Sequence, residues 1–478
     1  MNTRTFCAGV AVAALLANPL LAQNAPENLL PSETTAKPQP SPVPTPTQVA
    51  KPGQEATAQT SQATVEQSFT EFEQHEVVQP TYPTVASWTV LQAKALMKYA
   101  EGIGTEGLDP KDYQLDALSA AIAQGPGDAL NQAASQTFDW LVEDLRDGRT
   151  PMEDRLQWFV VDPDPDRMPT GKLLAEAVKN GKIAATLHGL DPVNPDYAKL
   201  RAELAKTTDP EKRLLIRANM DRWRWLPQDL GTHYLLTNIP EYKLRLVVHN
   251  RVIKSYRAIV GKPGRTATPQ LAESVEAVVF NPTWTVPQSI VQGEGLGAKV
   301  LNNPSWAKSA GYKATKGSDG VVYVVQQPGP NNSLGLMKLD MPNPHAIFIH
   351  DTPQRYLFNK TDRDLSHGCV RVQDARELGM TMAMLGNMTS KDDIPTIQAE
   401  VQDISTSGKY TRYPLTNPWP VYLTYFTMAS DVDGKLRTFD DIYNRDAPVI
   451  ASFGQPREAN RARKTSEKVV PIIDDLKT

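Results

Sequence analysis

The periodicity of hydrophobic residues changes once along this chain, at Pro227, and that change limits the folds open to it. Before Pro227, apolar residues recur at steps of three and four, as they do from Leu130 to Leu145. After Pro227, short runs rich in β-branched and aromatic residues are separated by turn-forming residues. These runs are 234–239, 243–249, 252–260, 275–280, 321–325, 346–350 and 421–427. The pattern predicts an α+β chain with a helical domain over 85–226 and a mainly β domain over 227–450.

Both ends of the chain are expected to lie outside these two domains. Residues 1–22 contain a basic residue, an apolar stretch from Phe6 to Ala17 and small residues at the end, which is typical of a cleaved secretory signal peptide. The alternative, a membrane anchor, needs about 20 consecutive apolar residues, more than this stretch has. The Pro-rich residues 23–80 predict a disordered linker, and the charged residues 455–478 predict a tail that is frayed from Arg457 onwards. We therefore expect an exported, periplasmic protein.

The charge of the chain excludes one class of partner. The formal net charge is -4 and the acidic and basic residues are interspersed, with no basic stripe of the kind that binds nucleic acid. We expect no nucleic-acid partner.

The cysteine count draws attention to a single position. The chain has 2 cysteines, Cys7 and Cys369, and Cys7 lies in the predicted signal peptide. The exported protein would keep one thiol, which has no internal disulfide partner. Such a thiol is either buried and inert or reactive, and composition alone does not decide between the two.

The residues around Cys369 favour the reactive alternative. A nucleophilic cysteine needs a histidine within hydrogen-bond reach to accept its proton and return it to the leaving group. His350 ends an apolar run that is predicted to be a strand, which gives its imidazole a rigid position. His367 is only two residues from Cys369 and is better placed to shape the local backbone. We predict His350 as the base.

Two neighbours of Cys369 suggest further roles. Gly368 would let the backbone approach a substrate closely and direct amide groups at a developing oxyanion. Arg371 would share a face of an extended chain with Cys369 and could hold a substrate carboxylate with two hydrogen bonds. Each has a structural alternative: a glycine that serves only a turn, and an arginine that only pairs with a nearby acid.

A metal site is a different interpretation of the same residues. His345, His350, His367 and Cys369 are all potential zinc ligands. Their spacing matches neither paired Cys-x-x-Cys motifs nor His-Glu-x-x-His. We predict neither a metal nor another cofactor.

The string from His350 to Cys369 resembles the signature of the L,D-transpeptidases with a YkuD catalytic domain: a histidine, a spacer of this length, then Ser-His-Gly-Cys. Similarity to the large periplasmic YcbB-like branch of that family extends over most of the chain. It is carried by 217–226, 238–240, 260–263, 281–287, 425–427 and 441–443. The resemblance implies a helical scaffold domain, a mainly β YkuD-type catalytic domain and a capping subdomain at about 289–342. This chain departs from the branch in one respect, since the short stretch before Arg217 leaves no room for the inserted peptidoglycan-binding module.

The resemblance also implies an activity. Cys369 would attack a peptidoglycan stem peptide, form a thioester and pass the acyl group to an amine of a second stem, giving a 3-3 or a 1-3 cross-link. Water as the acceptor would make the protein an L,D-carboxypeptidase, and an inert cysteine would leave a wall-binding scaffold. Carbapenems, which are β-lactams, are the expected inhibitors. The predicted site residues are Cys369, His350, His367 and Gly368 for catalysis, and Ser366, Arg371, Trp284 and Tyr356 for substrate binding.

Overall fold

The computed structural model describes residues 82–457. The predicted signal peptide 1–22, the predicted linker 23–80 and the predicted tail beyond residue 457 lie outside the described residues. Within 82–457, no helix combines the length and the apolar character needed to cross a bilayer.

The N-terminal part of the described chain is helical. Its helices start where the sequence supplies caps: the side chain of Thr89 accepts from the backbone N–H of Gln92, and Asn194 and Asp209 cap helices that have proline in their first turn. The helices are α1 Val90–Glu101, α2 Leu115–Gln124, α3 Asp128–Asp147, α4 Asp164–Arg167, α5 Thr170–Asn180, α6 Ile183–His188, α7 Pro195–Lys206 and α8 Pro210–Arg224. Their apolar faces enclose a core that includes Leu96, Leu130 and Phe138.

Strands dominate the second half of the chain. They are β1 His233–Asn238, β2 Lys243–Val248, β3 Arg251–Gly261, β4 Leu271–Phe280, β5 Trp284–Thr285, β6 Tyr312–Lys316, β7 Val322–Gln326, β8 Met337–Asp340, β9 Ile349–His350, β10 Asp364–Ser366, β11 Val370–Val372, β12 Thr411–Thr424, β13 Met428–Ser430 and β14 Leu436–Thr438. The helices of this half are α9 Gln288–Gly293, α10 Leu296–Asn302, α11 Pro304–Ser309, α12 Ala375–Asn387, α13 Ile394–Thr406 and α14 Asp446–Ser452.

Nine of the strands form one sheet with the order β10-β3-β11-β9-β8-β4-β12-β1-β2. Because β2 also pairs with β3, the sheet closes on itself through β3. Its apolar side forms the main core with residues of α12, among them Leu378 and Met382. The short strands β9 and β11 lie side by side in the middle of this order.

The helical part packs on the second half of the chain through α7 and α8. Trp223 at the end of α8 stacks on Phe426 with ring centroids 4.4 Å apart, and both belong to a core that also includes Tyr234 and Tyr422. The predicted fold class, a helical N-terminal part followed by a mainly β domain, is confirmed.

A separate small subdomain fills much of the segment predicted to be a cap. Strands β5, β7 and β6 form a three-stranded sheet, and α9, α10 and α11 pack on it around Val291, Val300 and Val324. We call residues 284–326 the lid subdomain. The sequence pattern predicted only one strand here, at 321–325, which corresponds to β7.

Arg457, at which the predicted frayed tail begins, is packed in the structure, so the prediction is wrong for this residue and stays a prediction for the residues beyond it. The guanidinium of Arg457 is buried and forms salt bridges with Glu143 and Asp144 of α3, while the backbone carbonyl of Gln455 accepts from Arg149. These contacts lie at the end of the described chain, where a charged sequence pairs with buried carboxylates instead of facing water.

Candidate active site

Strands β9 and β11 bring His350 close to Cys369. They are parallel, with Ile349 opposite Val370 and His350 opposite Arg371. Side chains alternate along a strand, so His350 and Arg371 share one face, while Ile349 and Val370 face the core. Cys369 directly precedes β11 and interacts electrostatically with Arg371. The predicted nucleophile, base and carboxylate-binding arginine therefore lie together.

The thiol of Cys369 is nearly buried, with 9% of the residue exposed, and its Sγ is 3.7 Å from the carbonyl oxygen of Ala346, to which it donates. Ala346 has a left-handed φ of 52°. The turn that holds it there depends on Asn343, whose side-chain amide donates to the Ile347 carbonyl at 2.6 Å and whose oxygen accepts from the Ile347 N–H at 3.1 Å. This turn places a hydrogen-bond acceptor beside the thiol.

The turn before Cys369 is shaped by Ser366 and Gly368. The Ser366 hydroxyl donates to the Cys369 carbonyl at 2.6 Å and accepts from the Gly368 N–H at 3.2 Å. Gly368 has a φ of 116°, a conformation that favours glycine. Ser366 is buried and its hydroxyl is engaged in the turn, so its predicted substrate contact stays a prediction. His367, by contrast, is exposed.

His350 is buried between two cations. Lys338 on β8 and Arg371 on β11 are its partners in the neighbouring strands. Burial lowers the pKa of His350 to about 3, the charges of Arg371 and Lys338 add to this effect, and backbone hydrogen bonds at Asp351 and Leu334 oppose it. The imidazole is therefore neutral at pH 7.

This burial predicts a pH dependence of stability. As the pH falls below 6.5, His350 takes up a proton in the unfolded chain but not in the folded one until about pH 3. The unfolding free energy should therefore decrease across this range, and His350→Gln should make that decrease shallower. Urea unfolding of both proteins at several pH values measures the slope. His249→Gln, at an exposed turn, is the control, and an equal change of slope there would argue against the assignment.

Asp351, which the sequence analysis did not single out, links His350 to the turn between the lid subdomain and β8. Its carboxylate accepts from the Leu336 N–H at 2.9 Å and forms a salt bridge with Arg355 at 3.1 Å. Gly335 has a φ of 65°, and a Cβ there would lie 2.4 Å from the Asp351 side chain. Because Leu334 in the same turn hydrogen-bonds His350, Asp351 holds the backbone that contacts the base. In the sequence, only the position of Asp351 directly after His350 indicated a role at this site.

The predicted substrate-binding residues occupy two places. Arg371 lies near Tyr356, which is 61% exposed, and one nitrogen of its guanidinium is 3.3 Å from the Gln354 side-chain oxygen. Within residues 82–457 no carboxylate forms a salt bridge with Arg371, which leaves it suited to a carboxylate from outside the chain. Trp284 lies in β5 and packs against the core of the lid subdomain.

The histidines considered as metal ligands are used differently. The ring of His345 packs on Phe159 with centroids 4.0 Å apart. In the part of the chain that the structure describes, the donors close enough to share an ion are Glu106, His188 and Asp191 of the helical part. Arg201 forms salt bridges with both of these carboxylates, which offsets part of their charge.

Two family models match the chain. Residues 232–382, which contain His350 and Cys369, match the L,D-transpeptidase catalytic domain known as YkuD, and residues 86–204 match the Scaffold domain. Only α8 and short connections lie between the two matches. A Haemophilus influenzae protein named "Putative L,D-transpeptidase" is 30% identical over 335 residues, which is 66% of this chain and 63% of that protein. The chain thus spans less than two thirds of that relative's length.

Solved structures give weaker similarities. The Ldtfm-avibactam carbamoyl enzyme aligns at 14% identity with a TM-score of 0.20, covering 42% of this chain and 51% of that one. An L,D-transpeptidase from Mycobacterium smegmatis aligns at 11% identity with a TM-score of 0.20, covering 40% and 58%. Scores this low support no conclusion about this chain.

Proposed function

We propose that this chain, which belongs to the L,D-transpeptidases and joins a YkuD catalytic domain to a Scaffold domain, cross-links peptidoglycan stem peptides through a thioester on Cys369. The observation that carries the proposal is the parallel pairing of β9 with β11, which places the neutral imidazole of His350 opposite Arg371 and beside the strand that Cys369 immediately precedes. A thiol beside a neutral histidine is the arrangement that nucleophilic acyl transfer requires.

The first half of the reaction forms the thioester. His350 takes the proton of the Cys369 thiol, and the sulfur attacks the carbonyl carbon on the C-terminal side of an L-configured residue of the donor stem. The tetrahedral oxyanion is stabilised by backbone N–H groups near Gly368. When the C–N bond breaks, the imidazolium returns its proton to the departing amine, and the distal D-residue leaves.

The second half transfers the acyl group. A side-chain amine of the acceptor stem attacks the thioester, His350 takes the amine proton, and the C–S bond breaks to regenerate the thiol with that proton. Arg371 is suited to hold a stem carboxylate, because it has no carboxylate partner within the described chain and lies beside exposed Tyr356.

Incubation of the purified protein with defined muropeptides, followed by mass spectrometry, tests the proposal. A cross-linked dimer that has lost one D-residue supports the proposal with a 3-3 link, and a dimer that has lost the donor stem beyond its first residue supports it with a 1-3 link. Loss of the D-residue without a dimer would make the chain an L,D-carboxypeptidase. No product, together with no adduct on Cys369 after incubation with a carbapenem, would reject an enzymatic role.

We propose the periplasm as the location, since peptidoglycan lies there and residues 1–22 have the pattern of a signal peptide. An N-terminus at Gln23 in protein recovered from the cell envelope would support export, and an intact Met1 in a cytosolic fraction would reject it.

The lid subdomain is proposed to cover the acyl-enzyme and to orient the acceptor. Trp306 stacks on Tyr312 at 5.6 Å and lies under the ammonium of Lys299 at 4.1 Å, so Trp306→Ala should loosen this subdomain without touching Cys369. We expect slower cross-linking with little change in acylation by a small β-lactam. The ratio of the two rates is the measurement.

Tyr323→Ala is the matched control, because Tyr323 is an exposed aromatic residue of β7 in the same subdomain. An equal loss of cross-linking and of acylation in Trp306→Ala would argue against a lid. Unchanged rates of both reactions in that variant would argue against it too. Hydrogen exchange should show reduced protection across 284–326 in Trp306→Ala only.

A further inference from the structure

The loop between β3 and β4 folds back onto the turn that precedes Cys369. The backbone N–H of Lys262 donates to the Ser366 carbonyl at 2.9 Å. The approach is close at Gly261, where a Cβ would lie 1.9 Å from the Thr266 carbonyl oxygen. The far end of this loop is Thr268, a fully buried threonine.

The Thr268 hydroxyl connects the loop to the nucleophile. It accepts from the Gly261 N–H at 2.8 Å and is 2.8 Å from the Gly368 carbonyl oxygen. An N–H can only donate and a carbonyl can only accept, so the single hydroxyl proton must point at Gly368. The hydrogen bond therefore has one possible direction.

That carbonyl belongs to the peptide group that joins Gly368 to Cys369. A trans peptide is planar, and its C=O and N–H point in opposite directions. By holding the carbonyl on the Thr268 side, the hydroxyl turns the Cys369 N–H to the other side. An N–H on the nucleophile's own residue is well placed to donate to an oxyanion that forms at the carbon attacked by its sulfur.

Gly368 itself does not fix this orientation. At a φ of 116° it lies in a region that glycine enters with little cost, and glycine has access to alternative conformations on either side. The peptide plane therefore needs an external restraint, and Thr268 supplies one from a distant part of the chain.

Thr268 is in turn held by the C-terminal segment. The Tyr443 hydroxyl donates to the Gly261 carbonyl at 2.5 Å and accepts from the Thr268 N–H at 3.3 Å. Arg445 donates to the Thr268 carbonyl at 3.1 Å. Both sides of the threonine backbone are thus anchored, and the hydroxyl acts from a rigid position.

We propose that Thr268 is a positioning residue of the acyl transfer: its hydroxyl holds the Gly368 carbonyl and thereby aims the Cys369 N–H at the oxyanion. This inference rests on the proposed function. It predicts an effect on the acylation step and none on the intrinsic reactivity of the thiol.

The experiment compares Thr268→Val, which keeps the shape and removes the hydroxyl, with Thr268→Ser, which keeps the hydroxyl. Acylation by a carbapenem is followed by intact mass to separate the acylation rate constant from the binding constant. Loss of one oxyanion donor costs about a hundred- to thousandfold, so misdirecting one should slow Thr268→Val by about tenfold or more. Thr268→Ser should stay near wild type, and binding should be unchanged in both.

Alkylation of Cys369 by iodoacetamide is the second measurement, because that reaction forms no oxyanion. Its rate should be the same in wild type and Thr268→Val. Thr237→Val is the matched control, since Thr237 is a buried threonine on β1 whose hydroxyl has no hydrogen-bond partner within the described chain. It should leave both rates unchanged.

Wild-type acylation in Thr268→Val, or an equal loss of acylation and alkylation, would overturn the inference. If Thr268→Val does not fold, the pair Thr268→Ser and Thr268→Ala isolates the hydroxyl, and equal acylation rates in that pair would also overturn it. Acylation of the wild-type protein by a carbapenem is measured first. If it does not occur, the result counts against the proposed function, and the variants are compared only if it does.

Discussion

Replacing Cys369 with alanine is expected to abolish both cross-linking and carbapenem adduct formation. The substitution removes the sulfur that forms the covalent bond, so no tetrahedral oxyanion forms for the backbone N–H groups to stabilise. Intact mass spectrometry after carbapenem treatment and dimer formation from muropeptides are the two measurements, and both should fall to background.

Stability separates this effect from unfolding. Cys369 is 9% exposed and contributes one buried sulfur to the main core, so its loss should cost about 1 kcal/mol, a small part of the stability of such a domain. The thermal midpoint should shift only slightly. Cross-linking above background in a folded Cys369→Ala protein would show that another residue is the nucleophile.

The site residues that could be predicted from the sequence lie close together along the chain. His350 ends an apolar run and Cys369 precedes another, and two short neighbouring strands in parallel register bring them together. Arg371 follows from the alternation of side chains along the same strand. Spacing and periodicity predicted that these three residues lie near one another, and their roles stay predictions.

Residues that act across long sequence separations were missed. Thr268 contacts Gly368 across 100 residues, and nothing in the TATPQ sequence around it marks a hydrogen bond to that carbonyl. Asp351 was adjacent to His350, but its carboxylate serves Leu336, and that contact depends on a left-handed turn at Gly335. Such contacts are determined by tertiary packing and not by local pattern.

The position of the lid subdomain was predicted as a capping segment, but most of its helices and strands were missed, for a different reason. Its helices have 6 or 7 residues, too few for a helical period to repeat. The segment from Gly293 to Gly335 is rich in glycine, and several of these glycines end short elements around a small apolar core. The fold class was nevertheless predictable, because the long helices and the core strands carry strong periodicity.

The second large effect is expected at the base. His350→Ala should lower the rate constant of carbapenem acylation by about a hundred- to ten-thousandfold, the range for loss of a general base. The residue is 4% exposed and flanked by Arg371 and Lys338, so water has poor access to replace the imidazole and the neighbouring cations are poor proton acceptors.

His367→Ala is the matched control, because it removes the other histidine of the motif from an exposed position next to Gly368. We expect it to slow acylation far less, through the shape of the turn. The two roles also differ in pH dependence: a variant without its base should regain acylation at high pH, where hydroxide raises the thiolate fraction, whereas a distorted turn should stay slow at every pH. If His350→Ala acylates at a rate near wild type and His367→Ala loses most of its activity, His367 is the base. The pairing of β9 with β11 would then serve only to build the core.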